Sequence, residues 1–335
     1  MPVLTSEYLK YNPKLPRILY HYCSIDAFLS IIQNKCIWLS DADTTNDTTE
    51  LNYIFDNFSN VIDETLKNYG NRYSNELKNI IKKMSIEIIN NLISKKAPIS
   101  KFSKNFLCCF SESKDLLSQW RAYGNDGKGV AIGFNSSLLS QIDCDETYGF
   151  TKVIYSQKII HSFLHAALDD RFMWAIDSSI NHKTGDFDQI ELISQIGMIL
   201  ISIWQEGFVF KHSSFSEEKE WRIYKNTKST NYSVEDGIDA YGYAGFLDGI
   251  FSNNDKYMGR FTRSQLKYRS TNDNIRLYFE IGFESCREKM IKQIILGPKC
   301  RINILDLKLL LTQNKYIDNI ESKEIEIIKT NSPYI

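Results

Sequence analysis

Strand-like and helix-like segments follow one another unevenly along this chain, without the steady strand-helix-strand rhythm that winds a parallel sheet. Short apolar runs recur at RILYHY (17–22), CIWLS (36–40), FLCCF (106–110), KGVAIGF (128–134), IRLYFEIGF (275–283) and IKQIILGP (291–298). Helix-period stretches of unequal length separate them, with helical insertions expected at about 51–97 and 157–206. That order favours an α+β domain with a mixed sheet over a doubly wound one. Neither a repeat nor a low-complexity segment nor a clean linker interrupts it, so residues 1–335 are expected to form a single elaborated domain.

Local signals refine the pattern. Ser24 is placed to cap a helix over Asp26–Asn34, whose apolar residues are Phe28, Leu29, Ile31 and Ile32. Gly124, Gly127 and Gly129 punctuate a turn ahead of KGVAIGF. A strand is expected at about 219–225, then a long polar stretch to 274, and the tail reads strand, strand, helix, strand. Ile occurs 43 times and Val only 6 times, so β-branched content by itself is a weak guide to strands here.

Composition narrows the function classes. The 335 residues carry 40 Lys and Arg against 41 Asp and Glu, a formal charge of −1 that argues against a purely electrostatic binder of polyanions. Locally the balance breaks, since residues 72–104 hold eight basic residues against two Glu, expected as a solvated helical face. Seven Cys without C-x-x-C spacing point to a reduced, cytoplasmic interior and no zinc site. The apolar stretch Ile196–Trp204 is far short of the roughly 20 residues that span a bilayer, and no signal peptide or membrane partner is expected.

Familiar catalytic signatures are missing: no P-loop, no G-x-G-x-x-G after a strand, no H-E-x-x-H and no G-x-S-x-G. His161 and His165, four apart on a helix, lack a third ligand at suitable spacing, so no metal is expected. Three clusters remain: His21-Tyr22-Cys23-Ser24 at a strand end, Ser118-Gln119-Trp120-Arg121-Ala122-Tyr123-Gly124, and Phe215-Ser216-Glu217-Glu218-Lys219-Glu220-Trp221-Arg222. Strand alternation puts Glu218, Glu220 and Arg222 on one face with Trp221 and Ile223 on the other. Two carboxylates and a guanidinium on one face are costly when buried and cheap along a cleft, so a salt-bridged edge strand and a functional cleft both stay open. His21 as a core or capping residue, and Trp120 with Tyr123 as plain packing, stay open beside them.

The ordered set LYHYCSIDAFLSIIQNKCIWLSD, CFSESKDLLSQWRAYGNDGKGVAIGF, FSEEKEWRIY and IKQIILGP resembles a widespread bacterial family of uncharacterised domains, over roughly 16–225 and 275–335. That family in turn resembles, more distantly, the ADP-ribosyltransferase fold, in which a split β-sheet cradles NAD. The resemblance implies a split mixed sheet core, with His21 holding the nicotinamide ribose and Tyr22 beside it. Glu220 would orient the ribose, and Glu218 would complete an E-x-E pair. Tyr123, Trp120 and Trp38 are alternatives for the aromatic that stacks on nicotinamide.

Such chemistry builds an oxocarbenium-like ribosyl cation, which a nearby carboxylate stabilises. Arg121 or Arg222 would neutralise the pyrophosphate of NAD, and Asn46 with Asp47 would shape the cleft. The stretch KYMGRFTRSQLKYR offers Lys256, Arg260, Arg263, Lys267 and Arg269 with interleaved aromatics, the composition either of a solvated loop or of a nucleic-acid contact. Three functions follow: an ADP-ribosyltransferase modifying a macromolecule in a toxin or antiphage-defence role, a glycohydrolase of NAD or another nucleotide, or a non-catalytic nucleotide- or nucleic-acid-binding module signalling to a regulatory protein partner.

Overall fold

The computed structural model describes residues 7, 9, 11–42, 50–55, 58–94, 104–142, 148–180, 188–226, 260–271, 274–330, 332 and 334. Within them β1 (Ile18–Cys23), β2 (Cys36–Asp41), β3 (Asn105–Ser111), β4 (Val130–Asn135), β5 (Tyr148–Lys152), β6 (Glu220–Asn226), β7 (Thr262–Arg263), β8 (Lys267–Ser270), β9 (Ile275–Gly282), β10 (Ile291–Leu296) and β11 (Glu326–Lys329) join one sheet. Its ladders are antiparallel except β10 with β11, so the sheet is mixed and the fold is α+β.

The long helices are α1 (Ile25–Asn34), α2 (Phe58–Asn68), α3 (Asn75–Ile93), α4 (Leu117–Ala122, a short one), α5 (Gln157–Ser178), α6 (Gln189–Gln205) and α7 (Ile304–Gln313). Within the described residues the expected insertions thus resolve into α2 with α3 and α5 with α6. Ser24 caps α1 by accepting from the Ala27 N–H at 3.2 Å, and Lys35 ends it in the left-handed region at φ 50°.

β3 organises the sheet. One of its edges pairs with β6 along the whole strand, from Asn105 opposite Asn226 to Ser111 opposite Glu220. The other edge is shared: Phe106 and Leu107 pair with β2, whereas Ser111 pairs with Tyr20 of β1. Between those two ladders the sheet forks. β4, β10 and β11 continue the β1 branch, and β9 with β7 and β8 continues the β2 branch.

Alternation sorts the residues onto two faces. Phe106, Cys108, Phe110, Trp221 and Ile223 join Leu19, Ile132 and the inner residues of α1 and α7 in one core. Leu107 and Tyr224 face the opposite way, into the layer of α2, α3, α5 and α6. On that same side Tyr20 and Tyr22 pack with Trp120 of α4. The gap between the helical layer and α4 leaves part of the sheet uncovered, over the fork.

Three sequence expectations change. The segment Gln189–Val209 is long and apolar enough to cross a bilayer, but 61% of it is buried inside the fold, as in a core helix packed on α3 and α5. In the basic stretch, Arg72 pairs with Asp177 at 2.8 Å and Lys82 with Asp63 at 2.6 Å, so neighbours supply counter-charges. The polar segment before 274 holds β7 and β8, which are too short and too polar to register as strands.

Gly129 stands where β1 and β4 come together. A Cβ there would lie 2.1 Å from the Cys23 carbonyl oxygen and 2.9 Å from that of Gly124. Gly129→Ala is therefore expected to lose about 1–3 kcal/mol or more in urea denaturation. Gly197 on α6 has open space where a Cβ would go, so Gly197→Ala should gain about 0.5–1 kcal/mol in the same measurement.

Candidate functional site

The uncovered part of the sheet is a cleft of about 60 Å³ lined by His21, Tyr22, Cys109, Phe110, Ser111, Gln119, Tyr123, Glu218 and Glu220. Residues from all three sequence clusters meet there. β1 brings His21 and Tyr22, β3 brings Cys109 and Ser111, α4 and its C-cap bring Gln119 and Tyr123, the start of β6 brings Glu220, and the turn before it brings Glu218.

The fork explains the histidine. Among the described residues no strand pairs with β3 at Cys109 on the side shared by β1 and β2, and the Cys109 carbonyl accepts from His21 Nδ1 at 2.9 Å. A carbonyl only accepts, so Nδ1 carries the proton and Nε2 is left as the acceptor. Desolvation lowers the pKa of His21, outweighing the support of that backbone bond. The ring is accordingly neutral near pH 7. Tyr22 is tied down by donating to the Ser113 carbonyl at 2.7 Å and accepting from the Leu116 N–H at 3.0 Å.

A buried charge cluster holds the glutamates. Arg222 grips Glu220 with two bonds, Nε to Oε1 at 2.8 Å and Nη2 to Oε2 at 2.9 Å, and donates through Nη1 to the Phe208 carbonyl. Lys211 Nζ bridges Glu218 at 2.7 Å and Glu220 at 3.1 Å. Burial by itself would raise the Glu220 carboxyl. The charges of Arg222 and Lys211, with hydrogen bonds from Arg222 and the Cys109 thiol, overcome it and bring the pKa from 4.5 to about 2. Glu220 is thus a fixed anion. Its four donors fill about the four acceptor sites of a carboxylate, and the thiol is the weakest of them.

Glu218 reaches the cleft by a different route from the one that strand alternation predicts. It closes the 3₁₀ turn Ser213–Glu218, and Lys219 follows in the left-handed region at φ 45°. Ser111 Oγ holds the turn by donating to the Glu218 carbonyl at 2.6 Å. β6 begins only at Glu220, with Glu220 and Arg222 on the cleft side and Trp221 stacked on Phe150 on the other.

Other expected site residues are placed elsewhere. Trp120 is fully buried, its Nε1 donating to Asp115 at 2.7 Å, and it packs on Tyr22 instead of lining the cleft. Arg121 is exposed and lies over the Tyr334 ring at 4.9 Å. Arg222 is 1% exposed and committed to Glu220, so neither arginine offers a free fork to a pyrophosphate. Asn46, Asp47 and Lys256 lie outside the described residues.

The basic stretch is also largely engaged. Arg263 is buried over Tyr148 at 3.9 Å, and Lys267 pairs with Glu280 at 2.6 Å. Arg269 lies over Trp38 at 5.2 Å, and Arg260 is exposed. A continuous loop of five free cations is therefore not what the fold presents.

His161 pairs with Glu64 at 3.0 Å and His165 with Asn68 at 3.0 Å, and among the described residues no three metal-ligating side chains gather. The His161–Glu64 pair lines a larger cavity, about 330 Å³, between α2 and the start of α5. The His161 and Glu64 side chains there are about half exposed, whereas the smaller cleft is where buried charge is concentrated.

Sequence reasoning missed Cys109, Lys211 and Tyr155, whose hydroxyl accepts from the Glu220 N–H at 3.1 Å. Cys109 was accessible from the alternation of β3. Lys211 and Tyr155 carry no local signal.

Residues 119–223 match a family described as protein of unknown function (DUF2971). That span holds Trp120, Tyr123, Glu218, Glu220 and Arg222 but not His21. No curated protein and no solved structure matches this chain.

Arg222→Met strands a buried carboxylate and is expected to cost about 3–5 kcal/mol in urea denaturation, whereas an unchanged stability would mean that Glu220 is protonated in the fold. Because the folded pKa of Glu220 is depressed, its stabilising contribution is complete above about pH 4.5 and drains away as pH falls toward 2. The thermal midpoint should fall through that window, and Glu220→Gln should flatten the decline.

Proposed function

We propose that the cleft is an ADP-ribosyltransferase-like site that cleaves NAD and passes the ADP-ribosyl group to a macromolecular acceptor. One observation carries the reading: His21, Tyr123, Glu218 and Glu220, from distant parts of the chain, line one cleft around a carboxylate held ionised. The fork in the sheet at β3 supports it, since a split sheet is what the resemblance implies.

The roles follow from the geometry. His21 Nε2 accepts from a ribose hydroxyl, because Nδ1 is occupied. A second ribose hydroxyl displaces the Cys109 thiol, the weakest donor on Glu220. As the glycosidic C1′–N bond breaks, its electron pair leaves with nicotinamide, and the Glu220 charge stabilises the ribosyl cation. The acceptor forms the new bond to C1′ and loses its proton toward Glu218. Tyr123 stands at the mouth, 43% exposed, where its ring can cover a planar leaving group. The enclosed volume of about 60 Å³ is far too small for a dinucleotide, so most of the ligand would lie across the open sheet face.

Glycohydrolysis is the second reading, with water in place of the acceptor, and the burial of Arg263 with the pairing of Lys267 to Glu280 favours it over modification of nucleic acid. Incubation with labelled NAD and candidate acceptors separates the two. Label in polymer is expected for transfer and free ADP-ribose for hydrolysis, with Glu220→Gln lowering either rate by about 10²–10³. Neither product from the wild-type protein would sink both readings.

A further inference from the structure

The two arginines expected to meet a pyrophosphate, Arg121 and Arg222, are engaged elsewhere. A different pair of guanidinium groups lies on the cleft side of the sheet, along the other branch of the fork. Arg269 of β8 stands directly opposite Arg276 of β9, and like charges so placed repel. Glu280, the carboxylate of β9 on that face, is taken by Lys267 at 2.6 Å, and Asp41 of β2 by Lys104 at 2.5 Å.

Arg269 is nevertheless held in place. Its guanidinium lies over the Trp38 ring at 5.2 Å, the Trp38 and Tyr278 rings pack at a tilt with centroids 4.6 Å apart, and Arg269 Nη2 donates to Ser40 Oγ at 3.1 Å. Its Nε is buried without a hydrogen-bond partner. Burial, and then the charge of Arg276, lowers the Arg269 pKa, the direction produced by a cation short of a counter-charge. A preorganised guanidinium with a spare buried donor, facing a second guanidinium, suits a ligand with two adjacent negative groups better than a single carboxylate.

The place fits the cleft as well. Ser40 pairs with Leu107, so the same register carried back two residues puts Trp38 level with Cys109 across the fork. Cys109 lines the cleft. A ligand whose ribose sits at Glu220 and His21 and which extends over the fork reaches the arginines next.

We propose that Arg269, with Arg276, forms a pyrophosphate-binding subsite for a nucleoside diphosphate, on the β2–β9–β8 side of the cleft. The assignment deepens the proposed function and rests on it for the identity of the ligand, while the binding itself needs no catalysis.

Titration calorimetry of the full chain with ADP, inorganic pyrophosphate and adenosine tests it, with wild type beside Arg269→Met, Arg269→Lys and, as a surface control, Lys82→Met. ADP and pyrophosphate are expected to bind about 10- to 100-fold more weakly to Arg269→Met, the scale of lost charge-assisted bonds. Arg269→Lys should recover part of the affinity, and Lys82→Met, on the surface of the helical layer, should bind pyrophosphate like wild type. Because Arg269→Met also removes a like-charge repulsion, its thermal midpoint should equal or exceed that of wild type. A merely structural arginine would show the reverse, a fall in midpoint with unchanged binding, and that result overturns the subsite. Equal pyrophosphate affinity in wild type and Arg269→Met overturns it even if NAD is consumed. Arg269-dependent ADP binding without any NAD turnover upholds the subsite and sinks the proposed chemistry. A single-stranded oligonucleotide that binds through Arg269 more tightly than ADP overturns the assignment to a free nucleotide.

Discussion

The structure depends on how β3 divides its hydrogen bonds. A strand has two edges, and β3 gives one wholly to β6 while splitting the other between β1 and β2. Where the two neighbours part, no described strand meets the Cys109 carbonyl, and a carbonyl buried with no donor at all would be costly. The His21 imidazole satisfies it. The same stroke fixes the tautomer of the ring and brings it beside the β6 glutamates, so the defect in the sheet and the cleft are one feature.

The second constraint is electrostatic. Placing Glu220 and Arg222 two residues apart on one strand gives a ready bidentate contact, but burying both requires that every donor and acceptor be used. Lys211, Phe208 and Cys109 complete that accounting, and Lys211 extends it to Glu218. The cluster is rigid for that reason, and it keeps the Glu220 carboxylate fixed and ionised, as the proposed chemistry requires. Arg269 and Arg276 show the opposite balance, with like charges opposed across two strands. That repulsion, beside the buried Nε of Arg269, is the feature on which the proposed subsite rests.

How much of this was legible residue by residue follows from range. The alternation of β6 read Glu220, Arg222 and Trp221 correctly because it depends only on the two-residue period of a strand. Glu218 broke the same rule because Lys219 turns into the left-handed region, a backbone choice that the spacing E-x-E does not reveal. Trp120 and Tyr123, three apart at the end of α4, looked equivalent, yet Trp120 is in the core and Tyr123 at the cleft mouth, a difference set by the packing of α4 on β1. Arg121 and Arg263 were drawn off by Tyr334 and Tyr148, aromatic partners far away in sequence.

By itself the sequence determined the α+β class, the strands with strong apolar runs, the caps and the two helical insertions, because those rest on local periodicity and backbone chemistry. It also marked the three clusters whose residues meet. Only the tertiary structure decided which members of each cluster face the cleft, that Lys211 and Cys109 belong with Glu220, and that the Cys109 carbonyl accepts from His21. Those outcomes depend on desolvation and charge balance among residues that are remote in the chain, and no local pattern encodes which distant partner will satisfy a buried polar group.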